Sequence, residues 1–585
     1  MKARASRLGL SPAGAALPAL AAAATAALWA VSRGKWSDAL IDSGREWIVP
    51  DALSRGELLY RDVVYWFGPW TPYFHAALFR LFGSGFGTLV AAGALASSAC
   101  LAVLFFALRR VTGRREAMLW CALAIPSLLF MPNAGGALLG MGYRIWHAAF
   151  FALLTVTLAT SPPGRAGFSA RPLLAGAAAA LAGLCRTEWG AAALGAGVIA
   201  AFWGPRRVSR GARDAAWLAA TFLALFGGVV AAFVAAAGRK AVLVDGHLLF
   251  ARLPAETRSF LVHFSGVRDW RRGLAELVYS LAIWGGAFFL AETLALGREA
   301  LRRRAGALGG VLVILAAAAL AGGAGSGVLW SAGPAVSAIG VAVGHARGRG
   351  RRSAALAAFG ALGLVLCYRR LFHIGDSAYT GPPLLFAFVS AAGLLRLRVA
   401  RLRPREARER VRKAFAAMLV VATAAAFAGR LARFASWEAD PIAGTRGFLT
   451  DRPEVAREIE GLARAIRTST APATGLVVFP EGELLNFLSG RPNRIRHKLY
   501  LPGYLTDDNE EEVLRELEAN PPGAVVMWRR PLSEYDRALF GDDYGEKIRA
   551  WIDRNYALSG YRAPGAPERT NPRFVWGVRR AGGVR

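Results

Sequence analysis

The chain has 585 residues, 55% of them hydrophobic and only 19% charged, with a mean hydropathy of +0.35; a soluble protein of this size carries roughly 25% charged residues. These figures exclude disorder, a disulfide scaffold and a coiled coil. The formal charge of +31 points to a nucleic-acid binder only until it is mapped: residues 1–429, the apolar part, hold 47 Lys and Arg against 18 Asp and Glu, whereas residues 430–585 hold 24 against 22. A basic excess confined to short gaps between apolar runs is the positive-inside pattern of a polytopic membrane protein, not the footprint of nucleic-acid recognition.

The N-terminus has a basic start (Lys2, Arg4, Arg7) and an Ala-rich run to Ser32. Because many further spans follow, it reads as a retained first helix rather than a cleaved signal. Further span candidates lie near 84–108, 117–131, 145–160, 173–203, 216–237, 275–297, 306–344, 353–368, 383–395 and 414–429. Two of them must be divided. A single helix over 173–203 would be about 46 Å long, against a hydrocarbon core of about 30 Å, and carries Arg186 and Glu188 at its middle. The 306–344 run is broken by the Gly-rich stretch Gly322 to Gly327. Reading both as helical hairpins gives 13 spans. The basic loops at 109–115, 204–214, 298–304, 345–352 and 396–413 then all face the cytoplasm with the N-terminus. Parity places 33–73, 132–144, 238–274, 368–382 and everything after Arg430 outside.

Cys100, Cys121, Cys185 and Cys367 lie in apolar runs with no metal-type spacing, so a metal site is not expected. The tail from 430 to 585 alternates helical and strand patterns and reads as a small α/β domain. Helices are expected over Arg452–Arg467, Glu510–Ala519 and Tyr544–Asn555, and strands at 475–479, 524–528 and 573–578. Pro480-Glu481-Gly482 reads as a strand-to-helix turn rather than a catalytic site.

The first external loop, 33–73, carries the densest chemistry. Asp38, Asp42 and Glu46 are spaced i, i+4, i+8, which on a helix puts three carboxylates on one face. A carboxylate beside lipid has its charged form disfavoured and becomes a better general base. A solvated acidic face followed by an interfacial aromatic anchor (Trp66, Phe67, Trp70, Tyr73, Phe74) is the alternative. Arg186-Thr-Glu188 falls at the external tip of the short hairpin, Arg239 and Asp245 open the loop before the eighth span, and Arg369, Arg370 and His373 follow the eleventh. Arginines at the membrane surface suit a phosphate headgroup; snorkelling at helix ends and an Arg186–Glu188 self-pair are the competing readings.

The order Asp42-Ser-Gly44, Gly56-Glu57-Leu-Leu-Tyr60-Arg61-Asp62, Gly68-Pro69 and Leu81-Phe82-Gly83 resembles bacterial membrane glycosyltransferases of the GT-C fold, of the protein O-mannosyltransferase and aminoarabinose transferase type. The tail stretch Phe479-Pro-Glu-Gly482 with Asn486 is similar to uncharacterised members. The resemblance implies a mainly α, GT-C-like bundle of about 13 spans (1–429) with an extracytoplasmic α/β domain (430–585) in the bacterial inner membrane. It implies inverting transfer of a sugar from a polyprenyl-phosphate donor to an extracytoplasmic acceptor hydroxyl; a divalent metal is not expected, because His247 and His373 show no paired ligand spacing. The family's first-loop aspartate, its proposed base, maps onto Asp42. The family often follows it with Glu, where this chain has Ser43, so Glu46 is the substitute and Asp38 the reserve. Arg61, Arg186, Arg239, Arg369 and Arg370 are the donor-phosphate candidates; Asp38, Asp62, Asp245 and His373 are the acceptor candidates. Two other readings stay open: a transporter or flippase for a lipid-linked substrate, which calls for related halves and several buried charges, and a non-catalytic membrane anchor for the C-terminal domain.

Overall fold

Runs of Ala, Leu and Val with few charges favour helix, and the computed structural model builds the chain up to Ala435 mainly from helices. The structure describes residues 12–131, 136, 138–139, 143–161, 170–204, 207–246, 248, 254–265, 270–308, 310–311, 331–367, 381–561 and 573–580. Helix α1 (Pro12–Ser32) leads into a five-residue π-turn (Ala39–Ser43), α2 (Gly44–Ser54) and α3 (Trp70–Phe82). There follow α4 (Phe86–Val111), α5 (Arg114–Ala124), α6 (Tyr143–Ala159), α7 (Arg171–Cys185), α8 (Thr187–Trp203) and α9 (Val208–Ala237). Then come α10 (Ala255–Ser265), α11 (Trp270–Leu296), α12 (Arg298–Arg303), α13 (Gly333–Ala346), α14 (Arg351–Leu366), α15 (Leu384–Ala400) and α16 (Arg405–Ala435). Among the described residues, α4, α9, α11 and α16 are long and apolar enough to cross a membrane, and α6, α7 and α13 are apolar but shorter.

The 173–203 run is two helices, as its length requires. The chain breaks at Arg186, whose backbone is extended (φ −152°, ψ 122°). The two arms touch where a Cβ on Gly190 would lie 2.3 Å from the Gly183 Cα, so glycine alone permits the approach. The break expected at Gly322–Gly327 lies outside the described residues.

The basic loops come together at one end of the bundle. Arg396 pairs with Glu116 (3.5 Å), Gly350 N–H donates to Trp203 O (3.2 Å), and Arg398 and Arg304 both reach Glu292 (2.7 and 3.3 Å). The other end holds the first loop, the 240–265 segment and the C-terminal domain, joined by ion pairs. These are Lys240–Glu512 (2.6 Å), Asp245–Arg496 (2.8 Å), Glu256–Arg537 (2.8 Å) and Glu57–Lys498 (3.1 Å).

The tail opens with β1 (Asp440–Pro441) and β2 (Thr450–Asp451), a two-residue antiparallel pair. After α17 (Pro453–Ser469) come β3 (Leu476–Phe479), α18 (Leu484–Ser489), α19 (Glu510–Ala519), β4 (Ala524–Trp528), α20 (Glu546–Asn555), β5 (Tyr556–Tyr561) and β6 (Phe574–Arg579). The sheet order is β3-β4-β6-β5, with β3 and β4 parallel and the other pairs antiparallel. Burial of all of β3 and most of β4 explains their unbroken apolar sequences. Strand β5, Tyr-Ala-Leu-Ser-Gly-Tyr, is half exposed and gave no strand pattern to read.

Two glycines of the family-like stretch seat the first loop. A Cβ on Gly44 would meet Leu484 N at 2.3 Å, and one on Gly68 would meet Leu184 O at 2.0 Å. The first contact presses α2 onto the turn after β3; the second presses the Gly-Pro step onto the tip of the α7–α8 hairpin. Gly44→Ala should therefore lower the apparent melting temperature of the purified chain, by an overpacking cost of about 1–3 kcal/mol. Gly195→Ala, with open space around its Cβ, should change it little or raise it. Equal melting points for the two variants would refute the docking argument.

Candidate functional site

The π-turn at 39–43 alters the expected stripe of three carboxylates. Asp38 sits before it as an N-cap: its Oδ1 accepts from Leu40 N–H (3.0 Å) and Ile41 N–H (2.8 Å). The turn is wound one residue wider than an α-helix, with Ser43 N–H bonded to Asp38 O (3.3 Å). Asp42 and Glu46 are both buried, each 6% exposed, and face different partners.

Glu46 Oε1 accepts from Arg144 Nη1 on α6 (2.8 Å), with both side chains buried. Burial pushes the Glu46 carboxyl above the ordinary carboxylate range, opposed by Arg144 and Arg45. The Arg144 guanidinium lies 3.8 Å from the centre of the Phe67 ring, and Arg186 lies 5.2 Å from the same ring. Two cations therefore lie against one aromatic ring, whose quadrupole attracts a cation over either face. Gly68 at the hairpin tip is what brings Phe67 there, since its N–H bonds to Cys185 O (3.3 Å). Arg186 also pairs with Glu188 (2.5 Å), so the self-pair and the ring contact coexist.

Asp42 belongs to a second group. Arg45, one turn on, donates from Nη2 to Glu481 Oε2 (2.8 Å), and Glu481 is fully buried. Burial works against the Arg45 charge, but Glu481 and Asp42 more than offset it and hold the guanidinium well above its ordinary range. Glu481 is also approached by Arg530 Nη1 (3.3 Å), which pairs in turn with Glu534 (2.5 Å). Burial raises the Glu481 carboxyl against the pull of both arginines. Two residues on, burial and the nearby Glu481 charge push Glu483 up to about 8.

Sequence reasoning sets Glu481 aside as part of a turn and does not single out Arg45, Arg144, Glu483 or Arg530. The strand-to-helix turn expected at 480–482 is present, and it carries the Glu481 carboxylate to Arg45 of the first loop. The available signal was a charged residue directly after the apolar β3 run. Other candidates have other work. Arg61 is more than half exposed and pairs with Asp62 (2.8 Å); Asp62 also accepts from Leu58 N–H (2.7 Å). Asp245 engages Arg496, whose Nη2 and Nε also donate to the backbone of Tyr60 (3.1 Å) and Arg61 (3.0 Å). The Gly-Glu-x-x-Tyr-Arg-Asp stretch is thus a seat for the C-terminal domain. Arg239 is exposed, whereas Arg186 is buried. Arg369, Arg370 and His373 lie outside the described residues. Among the described residues, no three His, Cys, Asp or Glu side chains come together as metal ligands.

No protein-family model and no curated protein matches the chain. Solved structures do. ArnT from Cupriavidus metallidurans bound to undecaprenyl phosphate superposes with a TM-score of 0.52 at 13% identity, over 97% of this chain and 99% of that one. The apo state of the same protein gives 0.51 at 13% identity, over 97% and 98%. The chain has the GT-C fold. The archaeal oligosaccharyltransferase AglB from Archaeoglobus fulgidus, in complex with an inhibitory peptide and a dolichol-phosphate, is more distant. It gives a TM-score of 0.48 at 14% identity, over 94% of this chain and 75% of that one. The likeness to ArnT covers 97% of the chain, so it takes in the C-terminal sheet as well as the helices.

Glu483 makes stability depend on pH. Its carboxyl holds a proton up to about 8 when folded and only to about 4.3 when unfolded. The folded state is therefore favoured most below the lower value and loses that advantage as pH rises to the upper one. The apparent melting temperature should fall between about pH 5 and pH 8, and Glu483→Gln should flatten the slope. An identical slope in the variant would show that another group titrates there.

Proposed function

We propose that the protein is a membrane glycosyltransferase that moves a sugar from a polyprenyl-phosphate donor to an extracytoplasmic acceptor hydroxyl, inverting the anomeric centre, with Asp42 as general base. The observation that carries the reading is the buried Asp42 at an irregular turn of the first loop, in a chain whose fold matches ArnT along its whole length. That structure is described as bound to undecaprenyl phosphate, which supports a lipid-linked donor here.

In the reaction, the acceptor hydroxyl loses its proton to the Asp42 carboxylate as its oxygen bonds to the anomeric carbon. The bond from that carbon to the phosphate oxygen breaks, and polyprenyl phosphate leaves with the electron pair. Arg186, at the hairpin tip and already beside the Phe67 ring, is the cation best placed to stabilise the developing charge. Bidentate guanidinium contacts suit phosphate oxygens. Arg144 holds Glu46, so Glu46 orients the loop and Asp42 takes the proton. Arg61, Arg239, Arg369 and Arg370 are the other donor-phosphate candidates.

The test is sugar transfer by full-length protein in lipid nanodiscs, from undecaprenyl-phosphate-linked sugars. Asp42→Asn keeps the shape but cannot take a proton, and should lower the rate by about 10²–10⁴-fold while folding normally. Glu46→Gln should act first on stability, because it removes the carboxylate that pairs with the buried Arg144 cation, a change that typically costs about 3–5 kcal/mol. Near-wild-type transfer by Asp42→Asn would move the base elsewhere.

The proposed orientation places the C-terminal domain outside the cytoplasm, with the five basic loops inside. A reporter fused after Arg433 should be active only if it works outside. Activity of a cytoplasm-only reporter at that point would reverse the topology.

A further inference from the structure

The turn after β3 does more than end a strand. Glu481 is fully buried; its Oε2 accepts a hydrogen bond from Arg45 of the first loop (2.8 Å), and its Oε1 lies 3.3 Å from Arg530 Nη1 in an ion pair without a hydrogen bond. The groups acting electrostatically on it are Arg45, Arg530 and Asp38, and it acts in turn on Glu483 and Tyr544. Arg45 is in turn felt by Glu46 and faces Glu481, Asp42, Tyr504 and Tyr535. Arg45, three residues after Asp42 and therefore its neighbour on the same helical run, thus gives its fork to a carboxylate of the C-terminal region while carrying the Asp42 charge in its field. The spacing is set by backbone, because Gly44 packs directly on Glu483 and Leu484.

We infer that Glu481 is a positioning residue for Asp42: by engaging the Arg45 fork, it limits how strongly that cation stabilises the Asp42 carboxylate, and Arg530 sets how far Glu481 can do so. The inference rests on the reading of Asp42 as the base. A cation beside a carboxylate favours its charged form and weakens it as a proton acceptor. A general base needs appreciable proton affinity near working pH. Arg45 without a counter-charge would work against Asp42; Arg45 neutralised by Glu481 holds its place without that penalty. The C-terminal domain is then a working part of the site.

The two partners of the chain Arg530–Glu481–Arg45–Asp42 make opposite predictions. Glu481→Gln frees Arg45 for Asp42, so Asp42 should take its proton at lower pH. Arg530→Gln leaves Glu481 to Arg45 alone and removes a positive charge, so Asp42 should take its proton at higher pH. Each shift should be on the order of half to one pH unit. The measurement is the infrared carboxylic-acid stretch of the full-length protein in nanodiscs, titrated with pH. The Asp42 band is assigned by subtracting the same variant carrying Asp42→Asn. Damage to folding cannot move the midpoint in opposite directions, and if Glu481→Gln does not fold, the sign of the Arg530→Gln shift decides. Unchanged midpoints, or shifts in the reverse sense, would overturn the inference. Transfer at near-wild-type rate by Asp42→Asn would instead remove the base reading and leave the infrared result standing as electrostatics alone.

Discussion

A charge can be buried only if a partner replaces the water it loses, and the Arg45–Glu481 pair applies that constraint across two parts of one chain. Arg45 comes from the first loop of the helical region and Glu481 from a turn 436 residues later. Neither tolerates burial alone, so the loop and the tail must fold against each other. Arg530 and Glu534 extend the pair on one side, and Asp42 on the other. The second buried pair, Glu46–Arg144, anchors the same loop to α6. Between them, the two pairs fix both faces of α2 and leave Asp42 at the turn that precedes it.

That turn is a π-segment, and the hairpin tip at Arg186 is extended. Irregular backbone is costly inside a membrane protein unless protein or an aqueous cavity satisfies its polar groups. Here the satisfaction is visible: Asp38 caps the π-turn, and the tip carbonyl of Cys185 accepts from Gly68. Breaking two helices at the same end of the bundle allows carboxylates and guanidiniums to leave helical register and converge. A regular helix over 38–46 would have set Asp38, Asp42 and Glu46 on one face.

What the sequence disclosed follows from which signals are local. Charge asymmetry and apolar run length exposed the helical region, the shared end of the basic loops and the division at Arg186, because each depends on neighbours in sequence. The strands β3, β4 and β6 were legible for the same reason, whereas β5, half exposed and interrupted by Ser559 and Gly560, was not. Asp42 stood out by its place in an Asp-x-Gly stretch. Its surroundings did not, because Arg45, Arg144, Glu481 and Arg530 are assembled from four distant segments. Asp245 and Arg61 looked like site residues because they are charged and external; in the folded chain they engage Arg496 and Asp62.

The seat of the C-terminal domain has a consequence for how this architecture can be recombined. Lys498 is almost wholly buried beside Glu57, and Arg496 reads the backbone at Tyr60 and Arg61 while holding Asp245. With Gly44 pressed on Leu484, the tail is keyed to three separate stretches of the helical region. A graft that exchanges residues 430–585 with those of a distant relative would strand Arg45, Glu57 and Asp245 without Glu481, Lys498 and Arg496. Segments 38–68 and 240–256 form one inheritable unit with the tail, although hundreds of residues separate them, and they must be transplanted together.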